Sequence, residues 1–259
     1  MSANALRTYQ SCPLRFRYRY LDQLYWSRLW GATAGERLAV ERGEAFHLLA
    51  RRYYAGVDPG GVADPVEQRD LDGWLHRLQG FLPYTFDRTF YPELELRLNR
   101  PDLKLMAKFD LLVVEPDGRA LIFDWKTEQR LPKRERLEQN PQTLVYRYML
   151  CAAGGSWSPR GRFAPGEVTM TYWNPLHPGS WEPLPYSEEQ YRADEARLLQ
   201  IVREIETTPR DEFRPTADAR TCRSCEYRML CHRRHPEQVN GEDGADELEP
   251  AAWDTVPDL

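Results

Sequence analysis

The densest chemistry in this 259-residue chain lies within residues 103–129, LKLMAKFDLLVVEPDGRALIFDWKTEQ. Asp110 is followed across a turn by Asp124-Trp125-Lys126. The turn is Glu115-Pro116-Asp117-Gly118, where proline presets the first corner and glycine accepts the left-handed conformation that closes a three-residue loop with a bulge. That loop sets Glu115 opposite Arg119. Counting outward, Asp110 falls opposite Asp124, with Lys126 two residues further on. Side chains alternate along a strand, so Asp110, Asp124 and Lys126 are expected on one face. Phe109, Leu111, Val113, Leu121, Phe123 and Trp125 are expected on the other, facing core. Two carboxylates set opposite each other in apolar surroundings repel. A hard divalent cation, Mg²⁺ or Mn²⁺, would neutralise them and leave the lysine for an anionic substrate oxygen. Strand charges solvated by water are the plainer alternative.

The second cluster is Cys222-x-x-Cys225-(five residues)-Cys231. Three thiolates so close in a polar, arginine-rich segment suit a soft metal that needs a fourth ligand, and Cys12, His232 and His235 are the candidates. The spacing permits structural Zn²⁺. Cys151 reads as a small buried hydrophobe. His47 lies one turn beyond Gly43 on a predicted helix, as a half-buried histidine or a further ligand. Gln142 and Tyr146, four apart, share a helix face. Glu93 and Glu95 alternate with leucine and are expected to point the same way, as a solvated strand face or as further acids of the site.

The elements that must position these residues follow from periodicity and end signals. Helices are expected over 4–24, broken near Cys12-Pro13, and over 35–54, 66–86, 140–153 and 187–207. Asn140-Pro141 and Ser187/Gln190 supply helix-start signals. Strands are expected over 93–98, on both arms of the hairpin and over 167–173, with a charged loop at 130–139. The fold class is α/β: a mixed central sheet around the hairpin, flanked by helices.

The net charge is −5 with a pI near 5.7, but residues 237–259 hold eight acids and no lysine or arginine. The rest carries 35 basic and 32 acidic residues, a mild positive excess. Arg15, Arg17 and Arg19, then Lys133, Arg134 and Arg136, then Arg220, Arg223, Arg228, Arg233 and Arg234 could form a phosphate-binding surface. Residues 237–259 are too poor in apolar side chains to pack and are expected to be a disordered tail to a domain over 1–236. No apolar run reaches spanning length and no secretory leader is evident, so a cytoplasmic location away from membranes is expected.

Asp110, then Asp124-x-Lys126, resembles the PD-(D/E)XK nuclease superfamily. The ordered series Cys12, Gly43-x-x-x-His47, Asp110, Asp124-x-Lys126, Gln142-x-x-x-Tyr146 and three late cysteines is similar to its RecB/AddB-type members and to CRISPR adaptation nucleases, and covers about residues 5–235. One departure is Ala107, where the family often has glycine. The resemblance implies a restriction-endonuclease-like fold and a metal-dependent deoxyribonuclease, an exonuclease serving DNA repair, recombination or defence. It implies a metal held by His47, Asp110, Asp124 and the Trp125 carbonyl, with Lys126, Gln142 and Tyr146 at the reaction. It also implies a [4Fe-4S] cluster on Cys12, Cys222, Cys225 and Cys231, joining segments 1–30 and 210–236. DNA with a single-stranded end is the implied partner. No helicase motif is present, so a nuclease module standing alone is expected. The rivals are a non-cleaving nucleic-acid-binding module and a subunit activated only by a helicase or repair partner.

Overall fold

The computed structural model describes residues 1–26, 33–58, 65–223 and 225–231. Residues 237–259, His232, His235, Arg233 and Arg234 lie outside the described residues. The N-terminal helix is broken where proline forbids continuation: α1 is Ala3–Ser11, α2 is Pro13–Phe16, and a wider π-helical turn runs over Arg17–Leu21. Then come α3 (Ala34–Tyr54), opened by a Thr33/Glu36 capping box, and α4 (Pro65–Phe81). The latter stops short of the expected 86, because the residue before Pro83 is disfavoured in helical geometry.

Strands β1 (Thr89–Asn99), β2 (Lys104–Val114) and β3 (Ala120–Trp125) follow. Beyond the short α5 (Arg134–Glu138), which occupies part of the expected charged loop, α6 (Pro141–Ala153) begins with Asn140 Oδ1 accepting the Gln142 N–H at 3.0 Å. It leads to β4 (Val168–Trp173), β5 (Pro183–Pro185), α7 (Glu188–Thr207) and α8 (Ala219–Arg223).

The sheet has the order β1-β2-β3-β4-β5 and is mixed, with β3 and β4 parallel and the other pairs antiparallel. Helices cover both faces. Leu6 of α1, Val145, Tyr148 and Met149 of α6, and Leu198 and Val202 of α7 form one core. Phe46, Leu49 and Ala50 of α3 pack with Leu71, Leu75 and Leu78 of α4 in the other. Cover on both faces explains why β3 is apolar along almost its whole length.

The hairpin register is the expected one, with Val114 opposite Ala120 and Leu111 opposite Phe123, closed by the Glu115 N–H on the Arg119 carbonyl at 2.9 Å. The strict alternation of faces is not observed. Leu105, Ala107 and Phe109 face the α6 core, whereas Leu111 and Val113 face the α3/α4 core, with Leu112 and Val114 back on the α6 side. Phe109 therefore sits edge-on against Tyr146, ring centroids 5.0 Å apart, rather than with Leu111 and Trp125. The neighbouring strand makes the same roll: Phe90 faces α3/α4, while Tyr91, Leu94 and Leu98 face α6. Glu93 lies at the centre of it with φ 55°. Because β1 and β2 roll together, their register stays unbroken on either side, with Pro92 opposite Leu111 and Leu94 opposite Phe109.

Candidate active site

The paired roll turns two acids towards a histidine. Beyond the Leu111–Phe123 rung, β2 and β3 part, and the Asp110 side chain fills the gap, its Oδ2 accepting the Trp125 N–H at 2.7 Å. Its Oδ1 lies 3.1 Å from His47 Nδ1, and His47 Nε2 lies 3.1 Å from the Trp125 carbonyl. His47 reaches this point because Phe46, Leu49 and Ala50 seat its helix against the sheet and leave it only 8% exposed. One ligand atom from each of His47, Glu93 and Asp110 lies within 4.8 Å of the other two.

Asp124 faces α6 instead. Its Oδ1 accepts from Gln142 Nε2 at 2.5 Å, and its Oδ2 lies 2.8 Å from Lys126 Nζ. Lys126 Nζ also donates to Gln142 Oε1 at 3.1 Å, and Gln142 Nε2 donates to the Tyr146 hydroxyl at 3.1 Å. The helical spacing of Gln142 and Tyr146 thus gives a bridge that holds the lysine and the second acid together. Tyr172, beside Asp124 on the parallel neighbour, lies under the ammonium with its ring centroid 5.4 Å away. Its hydroxyl is 2.7 Å from Thr143 Oγ1.

Burial and charge set unlike states for the two aspartates. Burial would raise the Asp110 carboxyl, but His47, the Trp125 N–H and Lys126 outweigh it and hold the group below the ordinary range. Burial dominates at Asp124, and the Asp110 charge adds to it, pushing the carboxyl up to about 6 against the pull of Lys126. At His47 burial favours the neutral ring, yet Asp110, Asp124 and Glu93 raise it. Lys126, which burial alone would depress, is raised by Asp124 and Glu128 and stays charged.

Among the sequence candidates, the structure gathers His47, Asp110, Asp124, Trp125, Lys126, Gln142 and Tyr146 at the parting ends of β2 and β3. Glu93 and Glu95, expected to point together, do not. Glu93 turns inward and pairs with Lys108 at 2.5 Å, whereas Glu95 stays outside with Arg97 at 2.6 Å. Proline at position 92 was the available signal, since proline inside a strand marks an edge or a break in regularity. No sequence signal pointed to Tyr172, which meets the lysine only through the parallel pairing of β3 with β4.

The cysteines lie apart from this site. Cys12 is buried between α1 and α2, and its Sγ accepts N–H groups from Arg15 and Thr216, each at 3.4 Å. The second donor belongs to the segment that leads to Cys222, Cys225 and Cys231. The Cys225 thiol, raised chiefly by burial, also feels Cys12. Ion pairs knit the two termini. Glu226, its side chain 3% exposed, is clamped between Arg15 and Arg19, while Arg17 pairs with Asp22 at 2.9 Å and donates to the Arg210 carbonyl. Tyr227 bonds to the Leu24 carbonyl. Arg15, Arg17 and Arg19 are therefore turned onto the protein's own acids rather than forming the expected phosphate surface, and Arg134 is held by Glu138 and Glu182.

A mixed sheet whose central hairpin presents two acids and a lysine, with a histidine from a covering helix, defines the class of restriction-endonuclease-like phosphodiester hydrolases. The family model of the PD-(D/E)XK nuclease superfamily matches residues 1–232, and this chain belongs to that superfamily. Its members are nucleases that use divalent metal ions, so the substrate is a nucleic acid. Among 18 matching solved chains, the crystal structure of SSO0001 aligns at 14% identity and a TM-score of 0.48, over 90% of this chain and 85% of that one. No curated protein matches significantly. No described helix is long and apolar enough to cross a membrane.

Proposed function

We propose that the chain is a Mg²⁺- or Mn²⁺-dependent deoxyribonuclease, an exonuclease acting in DNA repair, recombination or defence. The observation that carries this is the convergence of His47, Glu93 and Asp110 beside the Asp124–Lys126–Gln142 bridge. The donor set fits a hard cation: carboxylate oxygens and one imidazole, with a half-buried Asp110 near a buried Asp124 whose charge burial and Asp110 both disfavour. His47, Asp110, Asp124 and the Trp125 carbonyl would hold it, with Glu93 as a further acid. Bound there, the metal supplies Lewis-acid polarisation of the phosphate and acidifies the attacking water.

The chain's own residues do the rest. Lys126, kept charged and fixed by Asp124, Gln142 and the Tyr172 ring, offsets negative charge growing on a phosphate oxygen. Gln142 fixes the distance between acid and lysine, and Tyr146 braces Gln142 from the next turn of α6. Burial of Asp124 and partial burial of Lys126 limit water around that charge and strengthen its effect.

A [4Fe-4S] cluster on Cys12, Cys222, Cys225 and Cys231 is proposed as a staple between the termini, with structural Zn²⁺ as the alternative. Two backbone N–H groups directed at the Cys12 sulfur support its role as a thiolate ligand. Iron and zinc content of anaerobically purified protein, with Cys12→Ala beside it, separates the two metals. The nuclease itself is tested on end-labelled single- and double-stranded DNA with Mg²⁺ or Mn²⁺, comparing the unaltered chain with Asp110→Ala and Lys126→Ala. Metal-dependent cutting lost in both variants is expected. An intact, folded protein that cuts nothing would favour a binding module or a partner-activated subunit.

A further inference from the structure

Beside the candidate site, α4 and the loop that follows β4 enclose an open groove of about 500 Å³, lined by Arg77, Gly80, Phe81, Pro178, Gly179 and Trp181. We propose that this groove is a subsite for an unpaired nucleobase of a single-stranded nucleic acid, with Trp181 as the stacking platform and Arg77 meeting the adjoining phosphate. The proposal rests on the nucleic-acid reading above and deepens it by naming the residues that would hold an unpaired nucleotide.

Three observations carry it. The first is composition. Trp181 is 46% exposed, set edge-on against Phe81 with ring centroids 5.1 Å apart, which leaves much of the indole uncovered. Gly80 and Gly179 flank it, and a Cβ at either would meet nothing within 4 Å. Bare backbone beside an uncovered ring leaves a slot for a flat, apolar partner. The second is charge. Arg77 is exposed and donates one N–H to the Pro175 carbonyl at 2.9 Å, which holds the guanidinium at the groove wall with further donors to offer. A planar aromatic slot with a fixed guanidinium matches a base and its phosphate, the pairing by which proteins hold single strands.

The third is continuity with the site. Phe81 stacks on Trp173 at 5.3 Å, and the Trp173 carbonyl accepts the Lys126 N–H at 2.8 Å. Asn174 Nδ2 donates to the Glu128 carbonyl at 2.8 Å, and His177 Nε2 lies 2.7 Å from the Gln129 carbonyl. The groove loop is thereby tied to the residues immediately after the lysine, so a strand seated on Trp181 is held in fixed relation to the acids. Bases in a duplex are paired and stacked and cannot enter such a slot, which makes the groove selective for unpaired nucleotides.

The test is fluorescence anisotropy of a 5′-labelled 15-mer oligothymidylate, and of a labelled duplex, with the full chain in EDTA at one fixed salt concentration. Trp181→Ala removes the platform. Gly80→Leu fills the slot from a position where the helix has room and gains from losing its glycine. Both are expected to weaken single-strand binding roughly 5- to 150-fold, the range for losing one stacked base, with duplex binding unchanged and Trp181→Phe near the unaltered protein. Single-strand binding equal in all four proteins, or none by the unaltered chain, would overturn the subsite. Cleavage of labelled DNA by the unaltered protein with Mn²⁺ is scored in parallel. A chain that cuts but binds alike in every variant loses only the subsite, whereas one that binds through Trp181 and never cuts keeps the subsite and loses the nuclease.

Discussion

The roll of β1 and β2 that brings Glu93 and Asp110 together depends on a left-handed residue in a strand, and a Gly/Ala comparison at position 93 tests it. Glu93 has φ 55°, a conformation that costs a side-chain-bearing residue of order 1–2 kcal/mol and costs glycine almost nothing. At an ordinary strand position glycine is the less stable choice by about 0.5–1 kcal/mol. Here the order should invert. Glu93→Gly and Glu93→Ala both remove the carboxylate and its partly exposed pair with Lys108, so those losses cancel between the variants. The remaining difference is backbone strain offset by glycine's greater chain entropy, which leaves Glu93→Gly more stable by about 1 kcal/mol, or roughly 2–4 °C in Tm. Urea unfolding of the metal-free proteins at neutral pH measures it directly. If Glu93→Ala proves equal or more stable, position 93 is not left-handed, the shared roll is wrong, and the inward placement of Glu93 falls with it. Glu93→Gln, which keeps the shape and the strain, should fold like the unaltered chain and yet bind Mn²⁺ more weakly by calorimetry.

Lys126→Met should lower single-turnover cleavage by about 10²–10³, the usual loss on removing one fixed charge that meets the transition state, while DNA affinity changes little. Glu226→Gln leaves Arg15 and Arg19 without their shared carboxylate and should destabilise the chain by about 3–5 kcal/mol in urea; a change under 0.5 kcal/mol would show that the buried clamp does not tie the termini. Asp124 is raised from 3.8 to about 6, so the folded metal-free protein binds its proton more tightly than the unfolded chain does. Its contribution to stability is therefore greatest below about pH 4, falls as pH rises to about 6 and is flat above. The difference between the unaltered chain and Asp124→Asn should shrink by up to about 3 kcal/mol across that window in calorimetric unfolding with EDTA, and a difference independent of pH would contradict the burial of an ionised Asp124.

Much of the site's skeleton was legible because it rests on local rules. A Pro-Asp-Gly turn determines a hairpin register, which holds from Val114–Ala120 to Leu111–Phe123; beyond it the strands part, and Asp110 and Asp124, expected on one face, turn to His47 and to α6 respectively. Asn140-Pro141 starts a helix, and four residues of helical rise put Gln142 and Tyr146 on one side of it. The break at Cys12-Pro13 follows from proline's missing N–H. Each of these needs only a few neighbouring residues to be decided.

What period-two alternation could not reveal was its own interruption. A single positive φ in β1 reverses which face each later residue shows, and it is tolerated because the strand beside it rolls in step and preserves the hydrogen-bonded pairing. That compensation is a property of two strands and is written in neither. The same holds for Tyr172 under Lys126, for the arginines drawn onto Glu226, and for the groove at Trp181, whose walls are residues about a hundred positions apart. Sequence by itself determined most of the elements and the residue types that a metal and a phosphate would call for, though not the short α5 and β5 or the end of α4. Only the packing of helices on both faces of the sheet decided which acid turns inward, which charges are already neutralised, and where the groove at Trp181 opens, because burial and cross-strand geometry exist only once distant segments meet.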